Sequence, residues 1–338
     1  MKYRHWLTGL IFSISSSAIS ADKPNFETYV ENIKAEAIDK GFEPSFVDEH
    51  LSNLTYLRRA VKADKNQPEF KETLDTYLPK RVPEWKVERA RAAYKENLPL
   101  LTEISKKFGV QPRFIVSLWA LETNFGRIQG KMPILDSIAT LSYEGRRETF
   151  FKKQLFASLK ILEEGHIAKD KFVGSWAGAM GQCQFMPTSF LAYAADGDGD
   201  GKKDIWNNRA DVFASIANYL REEGWSDKGT WGRQVKLPEG FDKTLVMPKG
   251  KGRSNWFKNW KKVGRPMSEW SELGIKRMDG RSLPLVDIKG VLITPDDANG
   301  RVYLAYDNYK SLMHWNFSYY FVTSVGYLAD RIGYPAVK

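Results

Sequence analysis

The chain has 338 residues, 42% hydrophobic and 13% aromatic, with a formal net charge of +10. That is enough apolar material for one large core or two to three packed subdomains. A single cysteine, Cys183, excludes any disulfide within the chain, and a lone thiol in an apolar run is expected to be buried and inert. The basic charge attracts polyanions, whether nucleic acid, anionic membrane or anionic cell wall. No arginine-rich run interleaved with aromatics stands in the sequence, so no nucleic-acid partner is expected. Charge alone does not choose between the other two.

In chain order, Lys2 and Arg4 precede an apolar stretch over 6–14 and the small residues Ala18-Ile19-Ser20-Ala21. This is the order of a secretory signal peptide, assigned to 1–21. Its apolar part is short for a membrane span, although an uncleaved anchor is the alternative. No cysteine stands beside it to carry a lipid, so the mature protein is expected to have no membrane span.

The region 22–100 reads as a helical subdomain, with mixed charged and apolar residues punctuated by Pro44, Pro68, Pro79 and Pro83. A longer amphipathic helix is predicted over 87–108, stopped at Gly109. A core follows over 101–230. Within it Pro112 opens a helix over 113–124 that is apolar almost all round, hence buried, and Gly126 closes it. Further helices are predicted over 149–164, 188–195, 210–223 and 319–332. Between 231 and 302 short β-prone pieces (234–237, 285–292, 302–305) alternate with Gly, Pro and Asp turns, the pattern of a small β-rich insertion. The segment 303–338 then returns to the core with a C-terminal helix. The fold class is mainly α, with an α+β character from the insertion.

Glu122 is the informative residue. It lies near the C-terminal end of the buried helix, in Leu118-Trp119-Ala120-Leu121-Glu122-Thr123-Asn124-Phe125-Gly126. Burial and the negative end of the helix dipole both disfavour its charged form. An acid that keeps its proton near neutral pH suits protonation of a glycosidic oxygen. The plainer reading is a glutamate that reaches solvent or pairs with an arginine such as Arg127. Periodicity alone favours the plainer reading.

A second signal is the acidic run Asp196-Gly197-Asp198-Gly199-Asp200-Gly201-Lys202-Lys203-Asp204. It has the start of an EF-hand loop: alternate carboxylates converge on a hard cation, Gly201 allows the sharp turn, and Lys202 offers its carbonyl. The twelfth position is Asn207, where such a loop wants a bidentate Glu. A solvated acidic turn is the alternative.

Longer motifs carry a resemblance. Glu122-Thr123-Asn124-Phe125-Gly126, then Ser175-Trp176-Ala177-Gly178-Ala179-Met180-Gly181-Gln182-Cys183-Gln184-Phe185-Met186-Pro187, then Ile216-Ala217-Asn218-Tyr219-Leu220 with Gly224-Trp225 resemble signatures of lytic murein transglycosylases. Tyr143-Glu144-Gly145-Arg146-Arg147 with Phe150-Phe151, and Gln67-Pro68-Glu69-Phe70, add to the match. Together they resemble the membrane-bound lytic transglycosylase B type, in a soluble form and over nearly the whole mature chain.

That resemblance implies a lysozyme-like helical core and a periplasmic enzyme, expected to be monomeric, acting on peptidoglycan. It implies cleavage between N-acetylmuramic acid and N-acetylglucosamine with a 1,6-anhydromuramyl product, Glu122 being the sole acid and base. Ser175 and Gln184 are implied to hydrogen-bond the sugar, Phe185 and Tyr219 to pack against ring faces, and Asn316 to assist the acetamido group or hold the sugar. The glycines of Ala177-Gly178-Ala179-Met180-Gly181 are expected to let the backbone approach the glycan. The family closes its cation loop on a later aspartate, which makes Asp196, Asp198, Asp200, Lys202 and Asp211, with Asp204 as a further candidate, the implied calcium ligands in a stabilising role. No organic cofactor is implied, and partners among cell-wall remodelling proteins are compatible. Two departures stand out. Trp315 precedes Asn316 where the family usually has Tyr, and a cleft tyrosine falls among Tyr319, Tyr320 and Phe321, with Phe321 in the best register. Both are expected to touch aglycone contacts rather than the chemistry. The rival readings are a lysozyme-like hydrolase and a non-catalytic peptidoglycan-binding protein.

Overall fold

The computed structural model describes residues 23–66, 72–248, 252–296 and 300–333. The proposed signal segment and Gln67-Pro68-Glu69-Phe70 lie outside the described residues. The leading region folds as α1 (Phe26–Asp39), α2 (Pro44–Leu51), α3 (Arg58–Lys65) and α4 (Leu74–Arg81). The stretch predicted as one helix is two, α5 (Glu84–Glu96) and α6 (Leu98–Phe108). Pro99 is the reason: its ring clashes with the carbonyl four residues back and it has no N–H to continue the ladder. Asn97 takes up the break, its side-chain amide donating to the Ala93 carbonyl at 2.7 Å.

Next come α7 (Pro112–Thr123), β1 (Met132–Pro133), α8 (Ile134–Glu144), α9 (Glu148–Glu163), β2 (Val173–Gly174), α10 (Pro187–Tyr193) and α11 (Arg209–Glu222). The apolar α7 is the axis of the core: α5, α6, α11 and the C-terminal helix α15 (Tyr319–Gly333) pack around it. Ser117 of α7 donates to the Val325 carbonyl of α15 at 2.7 Å. One continuous core runs from Phe26 and Leu74 through Phe114 and Leu118 to Leu328, so the leading helices share the hydrophobic interior of the helices packed around α7.

The insertion holds β3 (Gly232–Lys236), β4 (Arg265–Pro266), β5 (Lys276–Arg277), β6 (Lys289–Ile293) and β7 (Val302–Ala305), in an antiparallel sheet of order β4-β6-β7-β3-β5. Two helices that periodicity missed, α12 (Arg253–Val263) and α13 (Met267–Glu272), belong to it. Strand alternation explains the packing. Val291, Ile293, Tyr303 and Ala305 enter the main core, while Leu292, Val302 and Leu304 join a second, smaller core around Trp270 and Met267. The sheet is therefore covered on both faces. The predicted strand over 285–292 begins only at Lys289, and Leu285 is 94% exposed. α14 (Asp307–Trp315) then returns the chain to the helical core.

Candidate active site

Glu122 is the penultimate residue of α7. The helix ends in an unusual way: Asn124 (φ 51°), Phe125 (φ 62°) and Gly126 (φ 79°) follow in left-handed conformation. Such a run is strained for the two non-glycine residues, and tertiary contacts hold it. The Thr123 hydroxyl accepts from the Gly126 N–H at 3.0 Å and lies 3.1 Å from the Gln182 carbonyl, to which it donates. At Gly126 a Cβ would fall 2.3 Å from Gln182 Oε1, so only glycine fits. Gln182 in turn accepts from the Trp119 indole at 2.7 Å and donates to the Trp206 carbonyl at 2.8 Å.

The Glu122 carboxyl sits deep, while the residue keeps a partial opening to solvent. Burial pushes its pKa up to about 7, against opposing pulls from the Trp315 indole and the Arg81 guanidinium. Trp315 Nε1 donates to Glu122 Oε1 at 2.7 Å. Arg81, at the end of α4, donates to the neighbouring Leu121 carbonyl at 2.7 Å. Among the described residues Glu122 forms no salt bridge, and the one cation acting on it is Arg81; the partner considered for it, Arg127, is exposed. No second carboxylate figures among the groups that perturb it.

The other expected residues divide. Phe185 and Tyr219 come together with Glu122 through Trp315, their ring centroids 5.2 and 4.8 Å from that of the indole. They are only 3% and 7% exposed, so little of either ring is open to solvent. They form the layer beneath Trp315, and the Tyr219 hydroxyl donates to the His314 carbonyl at 2.7 Å. Ser175 Oγ accepts from the Ala179 N–H at 2.9 Å and keeps its own O–H to donate. The Gln184 amide donates to the Gly181 and Gln129 carbonyls at 2.9 and 3.1 Å. Asn316 is exposed just beyond α14.

Three expectations need correction. The glycines of the Ala177–Gly181 stretch face inward: a Cβ on Gly181 would meet the Ile205 carbonyl at 2.7 Å, and one on Gly178 the Ile138 side chain at 2.7 Å. They permit packing of the loop on the core. Trp315, expected to bear on aglycone contacts, touches the acid itself. Phe321 is 5% exposed in the interior face of α15, whereas Tyr320 turns its hydroxyl to Asp296 and the Glu72 carbonyl. Arg81, Tyr77 and Trp119 were not legible as site residues, because each is an ordinary helical side chain until α4 and α7 are packed.

In the acidic loop the carboxylates of Asp196, Asp198 and Asp211 converge, with ligand oxygens within 4.8 Å of one another. Asp211 is fully buried, and burial, with the charges of Asp198 and Asp196, raises its proton affinity against backbone bonds from Gly197 and Asp204. Three converging carboxylate oxygens are a donor set that a hard cation could use. Asp200 is not part of this trio: its carboxylate accepts from the Lys202 N–H at 2.8 Å. Lys202 thus enters the loop's hydrogen bonding through its N–H, and Asp204 accepts from Trp206 and Asn207.

A mainly helical core with a small antiparallel sheet buries the Glu122 carboxyl beside an indole donor and carries a carboxylate loop ahead of α11, the features an enzyme using acid chemistry needs. The family described as Transglycosylase SLT domain matches residues 25–330. The chain belongs to this family of lytic transglycosylases. It is 40% identical over 141 residues to membrane-bound lytic murein transglycosylase B of Escherichia coli K12, a match that spans 40% of this chain and 38% of that relative's length. A crystal structure of SltB3 from Pseudomonas aeruginosa in complex with NAG-anhNAM-pentapeptide superposes with a TM-score of 0.83 at 34% identity, covering 91% of this chain and 79% of that one. Escherichia coli Slt35 in complex with calcium has a TM-score of 0.72 at 24% identity, over 90% and 93% of the two chains, a likeness of fold.

Proposed function

We propose that this chain cleaves the β-1,4 bond between N-acetylmuramic acid and N-acetylglucosamine in peptidoglycan and releases a 1,6-anhydromuramyl end. The observation that carries this reading is the Glu122 carboxyl, held near a pKa of about 7 by burial with no partner carboxylate acting on it. As an acid, Glu122 protonates the bridging oxygen as the C1–O bond breaks. The resulting carboxylate then accepts the proton of the muramyl C6 hydroxyl, whose oxygen bonds to C1. The proton that leaves Glu122 is replaced by that of the substrate, and no water is consumed. Hydrolases of the usual kind need a second carboxylate for nucleophile or base. An attacking hydroxyl in the same sugar replaces it, with the high effective concentration of an intramolecular reaction. The SltB3 relative was crystallised with a NAG-anhNAM fragment, which supports the same product class here.

Ser175, Gln184 and Asn316 are assigned to the sugar's polar substituents. Asp196, Asp198 and Asp211 would hold a calcium ion, which supplies charge neutralisation to the loop that leads into α11. The signal-like order of Lys2, Arg4 and the apolar stretch behind them supports a periplasmic location. No helix among the described residues is long and apolar enough to cross a membrane.

The test is digestion of purified peptidoglycan followed by mass spectrometry. A product lighter by one water than a reducing-end muropeptide supports the reading; a reducing end makes the protein a muramidase. Full release by Glu122→Gln would assign the acid to another residue, and no release by the unaltered chain would leave a binding protein.

A further inference from the structure

Trp315 marks a departure from the pattern the chain otherwise follows, and it is the side chain bonded to the acid. Its indole Nε1 lies 2.7 Å from Glu122 Oε1. An indole N–H donates and never accepts. A tyrosine hydroxyl in its place would be free to do either, and would leave both carboxyl oxygens eligible for the proton. We propose that Trp315 is a positioning residue for the reaction: its indole marks Oε1 as the acceptor oxygen of Glu122 and so keeps the transferable proton on Oε2. This rests on Glu122 being the acid.

The indole is built in place from three directions. Its ring lies against Phe185 and Tyr219. The carbonyl of the preceding residue, His314, takes hydrogen bonds from the Tyr219 hydroxyl at 2.7 Å and from the Arg253 guanidinium of α12 at 2.6 Å. The His314 ring is itself stacked on Phe257 of α12 at 3.9 Å and paired through Nδ1 with Glu223 at 3.0 Å. The last turn of α14 is therefore clamped between the core and the insertion, and the N–H has little freedom to leave the carboxyl.

The bond changes strength during the cycle. It is a neutral hydrogen bond while Glu122 holds its proton and a charge-assisted one after the proton has gone. Trp315 thus offsets part of the burial that disfavours the carboxylate, so the residue can give a proton and afterwards take one. The other groups that act on or face Glu122 are Arg81 and Tyr77 from α4 and the Cys183 thiol of the loop before α10. Burial pushes both Tyr77 and Cys183 up, so they stay neutral and Arg81 is the one charge among them.

The experiment follows the indole directly in the unmodified protein. With 15N-labelled tryptophan and 13C-labelled glutamate, the Trp315 Nε1–H signal and the Glu122 carboxyl signal are titrated together by NMR. Both are expected to move with one midpoint near 7. In Trp315→Phe the Glu122 midpoint should rise by about one pH unit, the alkaline limb of activity should rise with it, and kcat should fall about tenfold with KM little changed. Trp315→Tyr, which keeps a donor, should restore most of the midpoint shift and only part of kcat, since it no longer selects one oxygen. An indole signal that stays flat while Glu122 titrates overturns the proposal. So does a Trp315→Phe protein with native circular dichroism and an unmoved midpoint. These readings concern the bond whatever the reaction proves to be, whereas the role of Glu122 stands or falls with the product analysis of Glu122→Gln.

Discussion

A methyl group at Gly126 would lie 2.3 Å from Oε1 of Gln182, so the residue that ends the catalytic turn and the residue at the heart of the second motif exclude any side chain between them. This contact ties together two stretches of sequence that read as separate signatures. It also holds the left-handed run behind Glu122, because Gln182 is fixed at both ends by Trp119 and Trp206. Gly126→Ala combines overpacking with an unfavourable φ of 79°. It is expected to lower stability by about 2–4 kcal/mol, read as a lowered urea midpoint, with activity falling further than stability because the strained turn positions the acid.

Replacing the acid should separate function from stability. Glu122→Gln removes a group whose pKa rises from 4.5 unfolded to about 7 folded. A raised carboxylate pKa means that the folded state binds the proton more tightly, so wild-type stability declines as pH rises between those values. The amide does not titrate. Glu122→Gln should therefore be more stable than wild type at pH 8, on the order of 3 kcal/mol, and equal to it near pH 4. Its rate of anhydro-product release should drop by roughly 10²–10⁴. Thermal melts at the two pH values and muropeptide release check both halves.

The pH profile follows with the opposite emphasis. The first step needs the protonated form, so kcat/KM is expected to be flat on the acid side of 7 and to fall as pH rises through about 7. Arg81→Ala removes the one cation acting on the carboxyl. It should move that fall to higher pH, while also costing the hydrogen bond to the Leu121 carbonyl.

Calcium should act on the melting temperature more than on the chemistry. Added calcium is expected to raise Tm, by an amount that grows with concentration as for any ligand of the folded state. Asp211→Asn, at the buried corner of the trio, should abolish the rise. Asp200→Asn should keep most of it, since Asp200 is not among the converging carboxylates. Differential scanning calorimetry in chelator and in calcium makes the comparison.

Tyr219→Phe tests the layer beneath the indole. Losing the hydroxyl that anchors the His314 carbonyl should cost about 1 kcal/mol of stability and lower kcat, with substrate affinity preserved if the ring touches no sugar. A rise in KM alone would return Tyr219 to the glycan surface.

Local sequence determined much of this protein. The apolar periodicity of α7 dictated a buried helix with a carboxylate near its end, and the motifs around Glu122 carried the resemblance that cast it as an acid. Pro112 and Gly126 fixed the region it occupies, and the spacing of Asp196 and Asp198 announced a cation loop. These are features of one segment, set by side-chain period and backbone freedom. The contacts that make the acid work were decided by tertiary structure alone. Trp315 meets Glu122 from 193 residues away, and the charge of Arg81 acts on it from the leading region. The resemblance cast Phe185 and Tyr219 as sugar-stacking aromatics, and the fold packs both against the Trp315 indole with little of either ring exposed. A residue's type records what it is able to do, whereas burial and neighbours, which packing of distant elements supplies, decide which of those abilities is used.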